Sequence, residues 1–587
     1  MVGCLIYPHL LRSYDFSTKR IQSLQPTEIR GVGAGLENMG SYLIICAAPG
    51  SHPHEDIVRD FGVRLEPPPV STSILLERHL AYYGGEEIAL GDIQAFLRKP
   101  ELNSIVRQPL SPQGADDLSK RLICVLRGQM PLEEALTGHR TALESQVEAW
   151  FDEAGDDVEE RSFRIALAAF DGARYSSVRA AAQTLAERIK PALPEDPEQP
   201  PPTPPSPFAG RRRDRLKRAC AHLELVPEPG SELPGSRIEV VRLDNQEYAP
   251  TLLSYLWSEY DVVRDDLLDW LSFYAVNHTA DMRNRAAAAI GVLATQDFTT
   301  IRDKVLISWI NEQDRQYRAA IGKALGVLVW SEQHGSTVLA LLEEWSERRD
   351  QSFRWAAARA YGDVGLFNAR VAMAQWRNIL ISAEDEFDLV ITGDRRLILD
   401  PRLFRSVLDT IINFFLAAID LPERFRDIYE GAVEELKSWY DQDRKERKHH
   451  EGTARGLRIF AVLANVYVGQ PGVESEPDTW PPAMLLVVDG RDPRSPYRMA
   501  LAQLFRSALN WRPTQQDSLN ALKRWLIRVD HDTRLEAQMT AVLRDIAFGE
   551  GATARDQGRL SAYLRRWSQH PCEPIKSAGR AREELFS

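Results

Sequence analysis

The sequence predicts a mainly α protein: an irregular solenoid of stacked helix pairs, preceded by a smaller, partial α/β region and a helical segment. Three observations carry that prediction. From about Tyr248 to the C-terminus, apolar residues recur at three- and four-residue spacing. Within that stretch three segments repeat one pattern at a fixed interval. A proline tract near residue 200 separates two compositions, since twelve of the thirteen tryptophans lie after residue 256.

The elements follow in chain order. "YLII" within "GSYLIICAAPGSH" (40–52) is a short apolar run that stops at Pro49-Gly50, and it predicts a buried central strand feeding a loop. "LEPPPVSTSILLERHL" (65–80) predicts a loop leading into a helix, and residues 87–190 read as helical. The acidic run "DEAGDDVEER" (152–161) predicts a turn and a helix start, because acids favour a helix N-terminus. Residues 191–218 hold the proline tract, which lacks backbone donors and predicts a semi-stiff linker. Its basic end (Arg211, Arg212, Arg213, Arg215) predicts the solvated start of a helix and is the candidate partner contact. "RIEVVRL" (237–243) predicts one strand. "VLDTIINFFLAAIDL" (407–421) carries two aspartates, is too short to span a bilayer, and predicts a buried helix. Residues 381–404 and 441–456 read as long connections between helices. These boundaries divide the chain into 1–85, 86–192, 193–218, 219–380 and 381–587.

The repeat is "YAVNHTADMRNRAAAAIG" from Tyr274, "WINEQDRQYRAAIGKALG" from Trp309 and "WSERRDQSFRWAAARAYG" from Trp345. In each, an arginine follows the aromatic by nine positions (Arg283, Arg318, Arg354), and a glycine follows the arginine by eight (Gly291, Gly326, Gly362). The period is 35 to 36 residues. Such a unit fits one helix ending near the aromatic, a polar turn, and a second helix whose alanines admit close neighbours. One pair cannot bury its apolar face alone, so pairs must stack. Trp309 and Trp345 are therefore expected to be buried at equivalent positions, and the arginines to brace the turns. "SPYRMALAQLFRSAL" from Ser495 is a fainter echo of the same start.

Chemistry-bearing motifs are scarce. No GxxxxGK[ST] phosphate loop is present; the nearest stretch, "AIGKALG" (320–326), has Tyr317 at the first glycine position and sits in a repeat helix. "SHPHED" (His52, His54, Glu55, Asp56) is the best ligand cluster, but its prolines and short spacing predict a solvated loop; "VDHDT" (Asp530, His531, Asp532) has no second histidine-rich segment, and "RKHHE" (447–451) reads as a polar connection. HExxH, GxSxG, paired CxxC and dinucleotide fingerprints are absent, so neither catalytic residues, a metal nor a cofactor is expected. The five cysteines are scattered, as in a reducing compartment. A formal charge of −12 argues against general affinity for nucleic-acid backbones. With no signal-like or membrane-spanning segment evident, a cytoplasmic protein is expected.

The repeat resembles HEAT repeats, in which an arginine early in the second helix also recurs. The order "ENMGSYLIICAAPGS", "LEPPPVSTSILLERHL", then "PLSPQGADDLSKRLICVLRG" resembles the back half of a STAND-class P-loop NTPase, the signal-transduction group that includes NACHT proteins. That resemblance implies a sensor strand, a helical lid with a winged-helix-like segment, and a repeat array like those of large bacterial ATPases. The chain departs from the family in lacking the phosphate loop, and in having Cys46-Ala47-Ala48 where the family offers a hydroxyl and an arginine. The resemblance thus implies a truncated or degenerate member, a non-enzymatic sensor or scaffold whose array recognises a protein partner in signal transduction. Two alternatives stay open: the regulatory part of an ATPase whose nucleotide-binding half lies elsewhere, and a solenoid that binds nucleic acid.

Overall fold

The computed structural model describes residues 2–7, 10–15 and 42–45, then 70–189, 211–228, 236–388, 401–468 and 480–586 apart from short gaps. The fold is mainly helical and divides into two compact units, Met1–Val305 and Leu306–Ser587. No helix among the described residues is long and apolar enough to cross a membrane.

The first unit opens with strands β1 (Val2–Tyr7), β2 (Leu10–Asp15) and β3 (Tyr42–Ile45), in the order β2-β1-β3. The run "YLII" is a strand, as expected, but its setting differs from the expectation. It pairs antiparallel with β1, Gly3 opposite Ile45 and Ile6 opposite Tyr42, and lies at the edge of the three described strands. A central strand of a nucleotide-binding sheet has parallel neighbours. Four apolar residues in a row cannot specify strand direction, which partners far away in sequence decide. Residues 46–69, with the loop that carries His52 and His54, lie outside the described residues, as do residues 190–210 of the proline tract.

Helices α1 (Thr72–Gly84), α2 (Leu90–Leu97) and α3 (Pro112–Leu126) enclose a core of Leu76, Leu80, Ile93, Phe96, Leu118 and Leu122. The Ser71 hydroxyl accepts from the Ile74 N–H and starts α1. Next come α4 (Leu132–Asp152), α5 (Val158–Ala169) and α6 (Tyr175–Ile189). Asp157 caps α5 by accepting from the N–H groups of Glu159 and Glu160, so the acidic run is a helix start. The basic cluster forms the short α7 (Arg212–Arg218). It leads into a hairpin of β4 (Ala221–Pro227) and β5 (Arg237–Leu243), the second of which the sequence predicted. Helices α8 (Tyr248–Glu259), α9 (Arg264–Asn277), α10 (Ala280–Ala294) and α11 (Phe298–Ile301) complete the unit.

The second unit is built of helix pairs: α12 (Ile307–Asn311) with α13 (Arg315–Leu328), α14 (Gly335–Glu347) with α15 (Gln351–Val364), and α16 (Ala369–Asp388) with α17 (Pro401–Ile419). Next are α18 (Phe425–Lys445) with α19 (His450–Leu463), the short α20 (Ala483–Val487), then α21 (Pro496–Asn510) with α22 (Arg512–Val529). Helices α23 (Thr533–Phe548), α24 (Ala554–Ser568) and α25 (Lys576–Phe586) close the chain. Two rows result. First helices pack in the sequence α14, α16, α18, α21, α23, and second helices in the sequence α13, α15, α17, α19, α22. Each helix thereby buries its apolar stripe on both its pair mate and its neighbours.

The repeat register holds in the structure. Trp309 is 3% exposed and Trp345 1%, each near the end of its first helix. Five residues after each, an aspartate begins the second helix: Asp314 accepts from the Gln316 N–H at 2.9 Å and Asp350 from the Ser352 N–H at 2.8 Å. The helix Pro401–Ile419 turns Val407, Ile411, Phe414, Phe415 and Ala418 inward, as its apolar run predicted. Two connections are shorter than expected. Helix α16 runs to Asp388, and α18 and α19 reach Lys445 and His450, so much of 381–404 and 441–456 is helical. At the start of the second of these segments, Lys437 and Asp441 of α18 form an i,i+4 pair at 2.9 Å.

Two of the repeat glycines, Gly326 and Gly362, mark close helix crossings. A Cβ on Gly326 would meet the Cβ of Asp363 at 2.9 Å, and one on Gly362 the Thr410 methyl at 2.7 Å. By contrast, a Cβ on Gly558 in α24 meets nothing within 4 Å. Gly326→Ala is therefore expected to destabilise by about 1–2 kcal/mol, crowding outweighing the gain in helix propensity, whereas Gly558→Ala is expected to stabilise by up to about 1 kcal/mol. Urea unfolding of the two variants checks the opposite signs.

Candidate functional site

The repeat arginines serve the fold. Arg283 donates to the carbonyl of His278, and Arg354 donates from Nη2 to that of Arg349 at 3.3 Å, five residues upstream in both cases. These carbonyls belong to the turns between paired helices, where backbone acceptors lack intrahelical partners. A charged fork is a strong donor to them. Arg354 is 3% exposed, out of reach of a large ligand. Arg318 instead lies over the Trp355 ring, 4.5 Å from its centroid, and burial pulls its guanidinium below the ordinary value. Lys323 pairs with Asp363 across the same two helices. Arg318–Trp355 and Lys323–Asp363 thus tie α13 to α15, one repeat to the next.

The basic cluster is divided. Arg212 makes a two-pronged pair with Glu239, at 2.6 and 3.1 Å, and Arg215 donates to the Tyr175 hydroxyl at 3.2 Å while lying over Phe163. These two hold α7 to the hairpin and to α5 and α6. Arg211 and Arg213 are exposed. Two of the four arginines are thus engaged by the fold, although Arg212 stays exposed beside its partner.

Two titratable groupings come nearest to catalytic chemistry. His222 Nδ1 and Asp244 Oδ1 stand 2.7 Å apart, and Cys220 precedes that histidine by two residues with φ of +49°. Burial, then the Asp244 carboxylate, push the Cys220 thiol up, opposite to what a nucleophile needs. The second grouping surrounds Asp171, at a turn where Gly172 adopts φ +80°. Asp171 accepts the Leu243 N–H at 2.7 Å, Gly172 donates to the Val241 carbonyl at 2.7 Å, and Arg285 donates to the carbonyls of Asp171 and Gly172. This is a joint between the hairpin and helices α5 and α10.

Burial pushes the Asp171 carboxyl up, although Arg242 and Arg285 oppose the shift. The folded state therefore holds this proton at pH values where the unfolded chain has released it. Its contribution is favourable at low pH and is lost as pH rises from the ordinary carboxylate value through the folded one. Asp171→Asn keeps the acceptor oxygen and removes the buried charge. It is expected to raise the melting temperature at pH 7, with the gain vanishing below about pH 4. Melting curves across that range check it.

The "VDHDT" segment is likewise structural. Asp532 caps α23 through the N–H groups of Arg534 and Leu535, and Asp530 accepts from the Ser577 N–H and from Arg580. Among the described residues, no group of three or more His, Cys, Asp and Glu side chains stands close enough to hold a metal ion.

What remains is the solvent-exposed side of the second-helix row. Three of its consecutive helices each expose one aliphatic side chain: Leu416 on α17 (43%), Val462 on α19 (38%) and Ile527 on α22 (46%). All three lie within the last turn of their helices, so they share one edge of the row. Exposed Arg458 and Arg524 stand one turn before Val462 and Ile527, and exposed Arg405 and Asp409 lie two to three turns before Leu416. The signal in the sequence was each apolar residue's departure from its helix's buried stripe. The chain matches no family model and no curated protein.

Proposed function

We propose that this chain is a non-enzymatic interaction or sensor scaffold, and that its HEAT-like array recognises a protein partner along the second-helix edge carrying Leu416, Val462 and Ile527. The observation that supports this reading most is the recurrence of one exposed aliphatic per helix at one edge of three packed helices. Exposed apolar positions that line up mark interaction surfaces more than scattered ones do. A protein surface fits a line of exposed aliphatics, whereas a nucleic-acid backbone offers such side chains nothing to pack on. By the resemblance to STAND-class proteins, the array of a truncated or degenerate member would sense a protein signal. That step rests on analogy of fold.

A photo-crosslinking residue placed at Val462, and separately at Glu343 on the first-helix row, tests the reading in cells. A discrete crosslinked protein from position 462 that is missing from position 343 is expected. Equal labelling from both positions, or none from either, would overturn it.

A further inference from the structure

At the end of the second unit, helices α24 and α25 form an open groove of about 480 Å³. One wall is a single helical stripe: Gly558, Ser561, Ala562, Arg565, Arg566 and Gln569 fall at spacings of three and four along α24 and just beyond its end. Arg582 of α25 supplies the opposite wall. Three arginines therefore line the groove, and no carboxylate does.

This is unlike the surroundings. Arg580, two residues away, is held by Asp530 and Glu536, and Arg544 by Glu584. Arg565 finds only the Gln569 amide oxygen, at 3.4 Å; Arg582 Nε is buried without a hydrogen-bond partner, a feature it shares with Arg506 Nε. A buried donor left unpaired costs free energy, and like charges brought together repel. Basic residues in a helix's last turn are favourable in themselves, which accounts for Arg565 and Arg566. That effect does not account for Arg582, which comes from another helix. An oxyanion in the groove would offset the repulsion among the three.

We infer that this groove binds the phosphate groups of a small phosphorylated molecule. Planar guanidinium forks match phosphate oxygens two at a time, and the small side chains of Gly558, Ser561 and Ala562 let the anion approach the helix. The volume suits a small molecule rather than a polymer. A net charge of −12 for the whole chain also disfavours a long nucleic-acid track.

Titration calorimetry on the full chain tests this with inorganic pyrophosphate, and in a second arm with a nucleoside diphosphate. Saturable binding to one site per chain is expected, weakened about tenfold by each of Arg565→Gln, Arg566→Gln and Arg582→Gln, and unaffected by Arg534→Gln outside the groove. Tighter binding in the nucleoside arm would assign an organic phosphate; equal binding would assign the free ion. Arg565 and Arg566 are exposed, so their variants decide the matter even if Arg582→Gln fails to fold. No saturation by about 1 mM pyrophosphate, binding that survives Arg565→Gln and Arg566→Gln together, or equal binding of polyglutamate would overturn the inference.

Discussion

Trp345→Ala is expected to cost residues 306–587 about 3–5 kcal/mol and to lower their melting temperature by roughly 6–15 °C. The indole is 1% exposed and meets Phe353, the residue just before the bracing Arg354, edge to face at 5.9 Å. Truncation would empty the space where the first helix, the turn and the second helix of one repeat meet. That side chain seals the pair, so the loss should spread to the neighbouring pairs instead of staying local. Trp355→Ala, ten residues on, is the comparison. Trp355 is half-buried beneath Arg318 on the row face, and its loss should cost only about 1–2 kcal/mol. Denaturant unfolding of the two variants checks both size and order. Equal small losses would mean that the aromatic of the repeat is not its anchor.

The second large effect is at Arg498, the arginine of the faint echo from Ser495. Its side chain is 5% exposed, and Nε donates to Asp545 Oδ2 at 2.6 Å, joining α21 to α23. Arg498→Met leaves the Asp545 carboxylate in a largely dry setting without its cation, at an expected cost of about 3–5 kcal/mol. Adding Asp545→Leu removes the stranded charge. The double variant should recover most of the loss, because two apolar groups replace a pair that had already been desolvated. Unfolding curves for the two single variants and the double one close this cycle. A double variant as unstable as Arg498→Met alone would show that the bond from Arg498 to the Asp489 carbonyl, or packing, matters more than the ion pair.

The legible parts of the fold were those with local causes. The aromatic-to-arginine spacing placed Trp309, Trp345 and the intervening turns because a helix end, a cap and a helix start all fall within about ten residues. The acidic run before Val158 was legible for the same reason: a cap is a local hydrogen bond. The strand at Tyr42 was legible as a strand, but its neighbours were not, since the direction of pairing is a property of the partner. The strand Ala221–Pro227 was missed because its residues are mostly half-exposed and alternate weakly, and it persists by pairing with Arg237–Leu243. Residues 381–404 and 441–456 read as connections in the sequence, although α16 runs on to Asp388, α17 starts at Pro401, and α18 and α19 reach Lys445 and His450.

The functional surfaces were less legible still. Lys323–Asp363 and Arg318–Trp355 depend on how two helices nearly forty residues apart settle against each other. Nothing in either helix alone announces them. Arg582 joins Arg565 and Arg566 only because α25 folds back on α24. The edge formed by Leu416, Val462 and Ile527 needs three helices to be packed in order before three unremarkable aliphatics become one surface. The four arginines near the proline tract show the reverse case. They form a cluster in sequence, and the fold commits two of them to Glu239 and Tyr175.

The measurement that bears most directly on the scaffold reading combines binding and stability in one variant, Leu416→Glu/Val462→Glu/Ile527→Glu. Because all three side chains are exposed, the melting temperature should stay within about 2 °C of the parent. With the crosslinking residue moved to Arg458, beside Val462 on the same helix, the crosslinked partner seen in the parent should disappear from the variant. A variant that melts normally and still captures the same partner would contradict the account.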